Sequence, residues 1–165
     1  MKASVVALVA ALLAGPAWAA VRAGDNRASE RNAVVLSPEQ TRFVLRCGGC
    51  HGTLGQSPPK SVPQLRGVAG WFLCTPEARE YVIRLPNVSR AQLNDADLAG
   101  VMNFVAFELG EASAPAKAVR FTADEVAAIR TRPLNALPLN AYRRQIVDGM
   151  IRKCGAPVSL RDYGR

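Results

Sequence analysis

Cys47-Gly48-Gly49-Cys50-His51 sets two thiols three positions apart, the second followed at once by the only histidine in the 165-residue chain. Cys-x-x-Cys-His is the attachment sequence of c-type haem. Each thiol adds across one of the two vinyl groups on the porphyrin edge, and the side chain that follows then lies under the ring centre. On this reading Cys47 and Cys50 anchor one haem c, and His51 is the proximal iron ligand, a role haem proteins commonly give to histidine.

Other readings of these residues are weaker. A zinc site would need about four protein ligands, usually from a second Cys or His pair, and Cys74 and Cys154 stand alone in the sequence. A thioredoxin-like dithiol would need a preceding strand and a βαβ context, whereas the residues before Cys47 read as a helix. A lone histidine is ordinarily a core residue that satisfies its own hydrogen bonds, but a position directly after Cys50 reverses that expectation.

Outward from the motif, the N-terminus is the next signal. Met1-Lys2, an apolar run from Val5 to Ala14, then Gly15-Pro16 and Ala17-Trp18-Ala19 form a charged start, a hydrophobic core and a small-residue cleavage site, the pattern of a secretory signal. The apolar run is too short to span a bilayer comfortably. We therefore expect a signal peptide over 1–19, cleavage after Ala19, no membrane anchor afterwards, and the periplasm as address, since covalent haem attachment of this kind happens outside the cytoplasm. About 145 residues would remain, enough for one domain with a single core. Loss of Lys2 leaves 20 Lys and Arg against 13 Asp and Glu, or +7. Two ionised haem propionates would bring this to about +5, which favours a partner with an acidic docking surface. Export and the dispersal of the basic residues argue against nucleic acid, and a merely solvated basic surface is the plain alternative.

Residues 20–36 are polar and read as a flexible leader. Ser37-Pro38-Glu39-Gln40 combines a capping serine, proline at the first helical position and glutamine three residues after the cap, so a helix should run from Pro38 into the motif, with Phe43 and Val44 inward. Repeated glycine with Pro58, Pro59 and Pro63 predicts an irregular loop over 52–74. Thr75-Pro76-Glu77 starts a second helix ending near Leu85-Pro86. Asn94 caps a third, whose Leu98, Val101, Met102, Val105 and Leu109 fall on one face before Gly110. A linker over about 111–120 leads to Thr122-Ala123-Asp124-Glu125, a capping box for a helix stopping near Pro133, and a further helix over Asn140–Lys153 carries Tyr142, Ile146 and Met150 at four-residue spacing. No alternating run predicts a strand.

A signal segment, a helix entering Cys47-Gly48-Gly49-Cys50-His51, a Pro/Gly-rich loop and a later capped helix resemble a class I cytochrome c. The resemblance covers about 37–110, and Leu93 through Val105 is similar to the C-terminal helix of that fold, which crosses the helix before the motif. It implies an all-α, cytochrome c-like helical fold around one covalently attached haem, with 111–165 as a helical extension packed on the same domain. It also implies that Pro63 offers its carbonyl to the proximal histidine, fixing the tautomer and orientation of His51. Pro58 and Pro59 compete for that role, and an ordinary loop proline is the alternative.

The sixth iron ligand departs from the family pattern. The family usually takes a methionine from the loop before its C-terminal helix, and the corresponding stretch, about Pro86 to Gln92, has none. Met102, 51 residues beyond His51, is the first candidate metal ligand, although a methionine in an apolar stripe is more often core packing. Met150 is the second, and another ligand, water or an empty position completes the set. Cys74 and Cys154, not needed for attachment, suggest a disulfide in an exported protein, and closing a loop of about 80 residues contributes roughly 4 kcal/mol in the chain-entropy model. Two buried free thiols, or a thiolate ligand, are the alternatives. Together these features predict a soluble carrier of single electrons between periplasmic redox proteins, including service as acceptor or haem subunit of a dehydrogenase, and no bond chemistry of its own. An open distal position would instead suit a haem enzyme or gas-binding sensor, though no second histidine supplies a distal acid–base pair. A structural exported domain with an unloaded motif is the third reading.

Overall fold

The hydroxyl of Ser37 accepts a hydrogen bond from the Gln40 amide at 3.1 Å and so caps the first helix, α1, Pro38–Arg46. In the computed structural model, residues 35–57, 62–134 and 138–162 are described. The expected signal segment over 1–19 and nearly all of the leader over 20–36 lie outside the described residues, as do Pro58 and Pro59. After α1 come a single turn, α2, Gly48–His51, and a 3-10 helix, Ala69–Leu73. α3, Pro76–Arg84, and a short α4, Pro86–Ser89, lead to α5, Asp95–Asn103, which runs on as a π-helical segment, Phe104–Leu109. A 3-10 turn, Glu111–Ser113, then α6, Ala123–Arg130, α7, Leu139–Cys154, and a 3-10 helix, Val158–Asp162, complete the order. The fold is all-α, with no strand among the described residues, and Ser37–Arg165 forms one compact unit.

Caps set most of these boundaries. Thr75 Oγ1 accepts from the Ala78 amide at 3.1 Å, Asn94 Oδ1 from Asp97 at 2.8 Å and Thr122 Oγ1 from Glu125 at 3.1 Å. Each satisfies an orphan donor of a helical first turn. α7 ends where Gly155 takes the left-handed conformation at φ 69°, with its amide on the Ile151 carbonyl.

Three apolar clusters fill the interior. The first joins Phe72 and Tyr81 to Ile146, Val147 and Met150 of α7. The second joins Ile83, Leu98, Ala99 and Met102 to Phe121 and Val126. The third centres on Phe43, Val101 and Leu109, with Val44, Cys47, Leu65, Leu93, Phe104 and Val105 packed against it.

The single apolar stripe expected on the third helix is in fact two. Leu98 and Met102 of α5 face the second cluster, while Val101, Val105 and Leu109 face the third. The reason is that α5 lies between α1 on one side and α6 on the other, so a helix buried on two sides needs apolar residues on both. Asn103, a polar residue in that buried run, is held by a two-way pairing with Phe121: its Nδ2 donates to the Phe121 carbonyl at 3.0 Å and its Oδ1 accepts from the Phe121 amide at 2.7 Å. Arg79 adds a second tie, its guanidinium 3.9 Å above the Phe121 ring and bonded twice to Glu125. The short α4 and the two five-residue 3-10 helices were not expected, because segments of four or five residues carry too little periodicity to read.

Candidate haem site

Cys47 closes α1, donating its amide to the Phe43 carbonyl at 2.8 Å, and its own carbonyl accepts from Cys50 at 3.2 Å and from His51 at 3.0 Å. The motif is thus one continuous turn, which sets Cys47 and Cys50 three positions apart on the same side. Both thiols are free; Cys47 is half-buried and Cys50 exposed. Burial pushes the Cys47 thiol above the ordinary cysteine range, and Cys50 beside it adds in the same direction.

His51 Nδ1 donates to the Pro63 carbonyl at 2.9 Å. A carbonyl can only accept, so the proton sits on Nδ1 and Nε2 keeps its lone pair. Burial lowers the His51 pKa, partly offset by the Pro63 bond, so the ring is neutral at pH 7, the form that ligates a metal. Gly52 follows at φ +70°, and a Cβ there would run into the Gln56 carbonyl, so only glycine turns the chain here. The loop then returns toward the motif: the Gly55 carbonyl accepts from Leu65 at 2.9 Å and Arg66 at 3.0 Å, and Ser57 Oγ donates to the Val62 carbonyl at 2.9 Å. The Gly67 amide fastens the far end to the Leu109 carbonyl at 2.8 Å.

Beside Cys47 the surroundings are hydrocarbon. Phe43 is fully buried, contributing roughly 1.5–3 kcal/mol by burial alone, and its ring packs on Phe104 with centroids 5.5 Å apart. These residues fit a haem: two free thiols, an imidazole with one nitrogen fixed and the other available, and an apolar wall. A zinc cage has less support, since no group of three or more His, Cys, Asp or Glu gathers to hold a metal among the described residues.

The other expected site residues lie elsewhere. Met102 packs in the second cluster and Met150, fully buried, in the first; neither cluster contains a residue of the motif. Cys74 and Cys154 are brought together with Cα atoms 6.3 Å apart, within the span a disulfide bridges. They line an open groove of about 470 Å³ with Trp71, Ser113, Lys117 and Lys153, to which the motif contributes no residue. Asn103, Arg79 and Arg130 hold the fold around the site without having been expected from the sequence. Arg130 donates to the carbonyls of Ser89, Ala91 and Leu93 at 2.9, 2.8 and 2.9 Å and to the Asp95 carboxylate at 2.9 Å. An asparagine within the apolar run Val101-Met102-Asn103-Phe104 was the one legible signal among these.

Comparison with known proteins finds distant relatives. The chain is 29% identical over 123 residues to cytochrome c-552 of Thermus thermophilus, covering 64% of this chain and 94% of that one. This likeness supports a c-type cytochrome. A second cytochrome c-552, from a named strain of the same organism, matches equally, at 29% over 123 residues, covering 64% of this chain and 83% of the other. No family model and no solved structure matches. No helix among the described residues is long and apolar enough to cross a membrane.

Proposed function

We propose that this protein is a periplasmic monohaem c-type cytochrome that passes single electrons between redox proteins. The observation that carries the reading is the His51 Nδ1 to Pro63 bond of 2.9 Å beside two free thiols on one turn. Cys47 and Cys50 would hold the haem as thioethers and His51 would ligate the iron through Nε2. A bound haem c supplies a one-electron ferric/ferrous couple. The chain's own residues set the conditions for it. The Pro63 carbonyl keeps the proton on Nδ1 and the ring in one orientation, which raises the basicity of the other nitrogen. Phe43, Leu65, Phe104 and their neighbours exclude water beside Cys47. The signal-like start over 1–19 supports export, and a Cys74–Cys154 disulfide would suit that compartment. The net charge of +7 that remains without residues 1–19, about +5 with two ionised propionates, favours partners with acidic docking surfaces, a periplasmic dehydrogenase among them.

Potentiometric titration of the purified protein tests the reading. A carrier shows a reversible one-electron transition with the same midpoint in both directions; irreversible reduction, or turnover of a substrate, contradicts it. A haem enzyme or gas-binding sensor is the second reading, and one observation favours it: the two candidate ligands Met102 and Met150 pack in clusters that exclude the motif.

A further inference from the structure

We infer that the iron face opposite His51 takes no side-chain ligand from the described residues and is an open position for a small uncharged molecule such as carbon monoxide. The inference rests on the haem reading above, not on the carrier role, and it deepens the second, gas-binding reading. Haem iron in proteins is ligated by imidazole, thioether, thiolate or phenolate, and each such group among the described residues is placed elsewhere. His51 is the only histidine. Met102 lies among Ile83, Leu98, Phe121 and Val126, and Met150 lies with Tyr81 in the cluster against which Tyr142 also packs. Cys74 and Cys154 face each other. The cluster that includes Cys47 is otherwise hydrocarbon, built by Phe43, Leu93, Val101, Phe104, Val105 and Leu109 among others.

The segment between α4 and α5 does not alter this inventory. Arg90-Ala91-Gln92-Leu93-Asn94 contains no thioether, imidazole or thiol. Ala91 and Leu93 pack on the second cluster, and Leu93 on the third as well. Arg130 holds the carbonyls of Ser89, Ala91 and Leu93, so moving the segment would strand a guanidinium and three carbonyls at once.

Carbon monoxide needs neither a hydrogen-bond donor nor a counter-charge from its surroundings, so it is the probe for an open ferrous position.

The test uses the full-length protein with its haem, quantified by a haemochrome assay. Spectra of the resting ferric and ferrous states are recorded, and carbon monoxide is titrated into the wild type, Met102→Leu and Met150→Leu. The expected result is a high-spin ferrous spectrum and a Soret shift at one carbon monoxide per haem, identical in all three proteins. A low-spin ferrous haem that resists carbon monoxide overturns the inference, whichever residue proves to be the ligand. A change of resting spectrum in either methionine variant overturns it as well. A protein without covalent haem sinks the haem reading, and this inference with it, a result distinguishable from low-spin haem by the haemochrome assay alone.

Discussion

Among the described residues, 37–110 supply every side chain of the cluster around Cys47, whereas 111–162 supply none of it and complete the other two. Phe121 and Val126 fill the second cluster behind Ile83 and Met102, and Ile146, Val147 and Met150 fill the first behind Phe72 and Tyr81. Charge divides along the same line: 7 Lys and Arg against 6 Asp and Glu in 37–110, but 10 against 5 in 111–165. The stretch that carries the motif is nearly neutral and builds the site. The stretch that follows buttresses the helices from behind and carries most of the charge that would draw an acidic partner.

Substitutions on either side of this division should separate stability from spectrum. Phe43→Ala removes a fully buried ring from the motif's cluster and should cost about 3–5 kcal/mol in denaturant unfolding, with a shifted Soret band. Met150→Ala, also fully buried, should cost about 2–5 kcal/mol with an unchanged spectrum; a spectral change there would break the division. Replacing both Cys74 and Cys154 by serine should cost about 2–4 kcal/mol if they are bonded, again without spectral effect, and an unchanged melting temperature would show that the thiols are free. Asn103→Ala leaves the buried amide and carbonyl of Phe121 without partners, for a loss of about 1–3 kcal/mol by the same unfolding measurement.

The smallest effect is a pH dependence. The Arg79 hydrogen bond is the largest cause holding the Glu125 carboxyl below the usual glutamate range. A carboxylate whose folded pKa is depressed contributes stability above its unfolded value, about 4.3, and loses it as the pH falls through the lower folded value. The pair is partly exposed, so solvent screening limits it to about 1 kcal/mol or less. Glu125→Gln should flatten that part of the acid limb in stability measured between neutral and acidic pH, while the wild type declines.

The motif, the four side-chain caps at Ser37, Thr75, Asn94 and Thr122, and the all-α class were legible because each rests on local chemistry: a fixed spacing or a hydroxyl or amide three residues before the amide it caps. The helix after Asn94 shows where local reading ends. Its apolar residues were read as one face, but which face meets which neighbour depends on α1 and α6 arriving from far along the chain. The same holds for Met102, whose sequence distance from His51 suits a ligand and whose packing partners are Ile83, Phe121 and Val126. Arg130 was unreadable for a related reason, because three of its four acceptors are backbone carbonyls, which leave no mark in a sequence.

The central claim, a haem held covalently at Cys47 and Cys50 with His51 beneath it, is tested most directly by mass spectrometry. The protein would be exported in a host able to attach haem c, and the peptide spanning Cys47 to His51 analysed. The account predicts one haem bonded to both cysteines of that peptide. Unmodified thiols, or a Cys47–Cys50 disulfide, in protein recovered from the periplasm would contradict it.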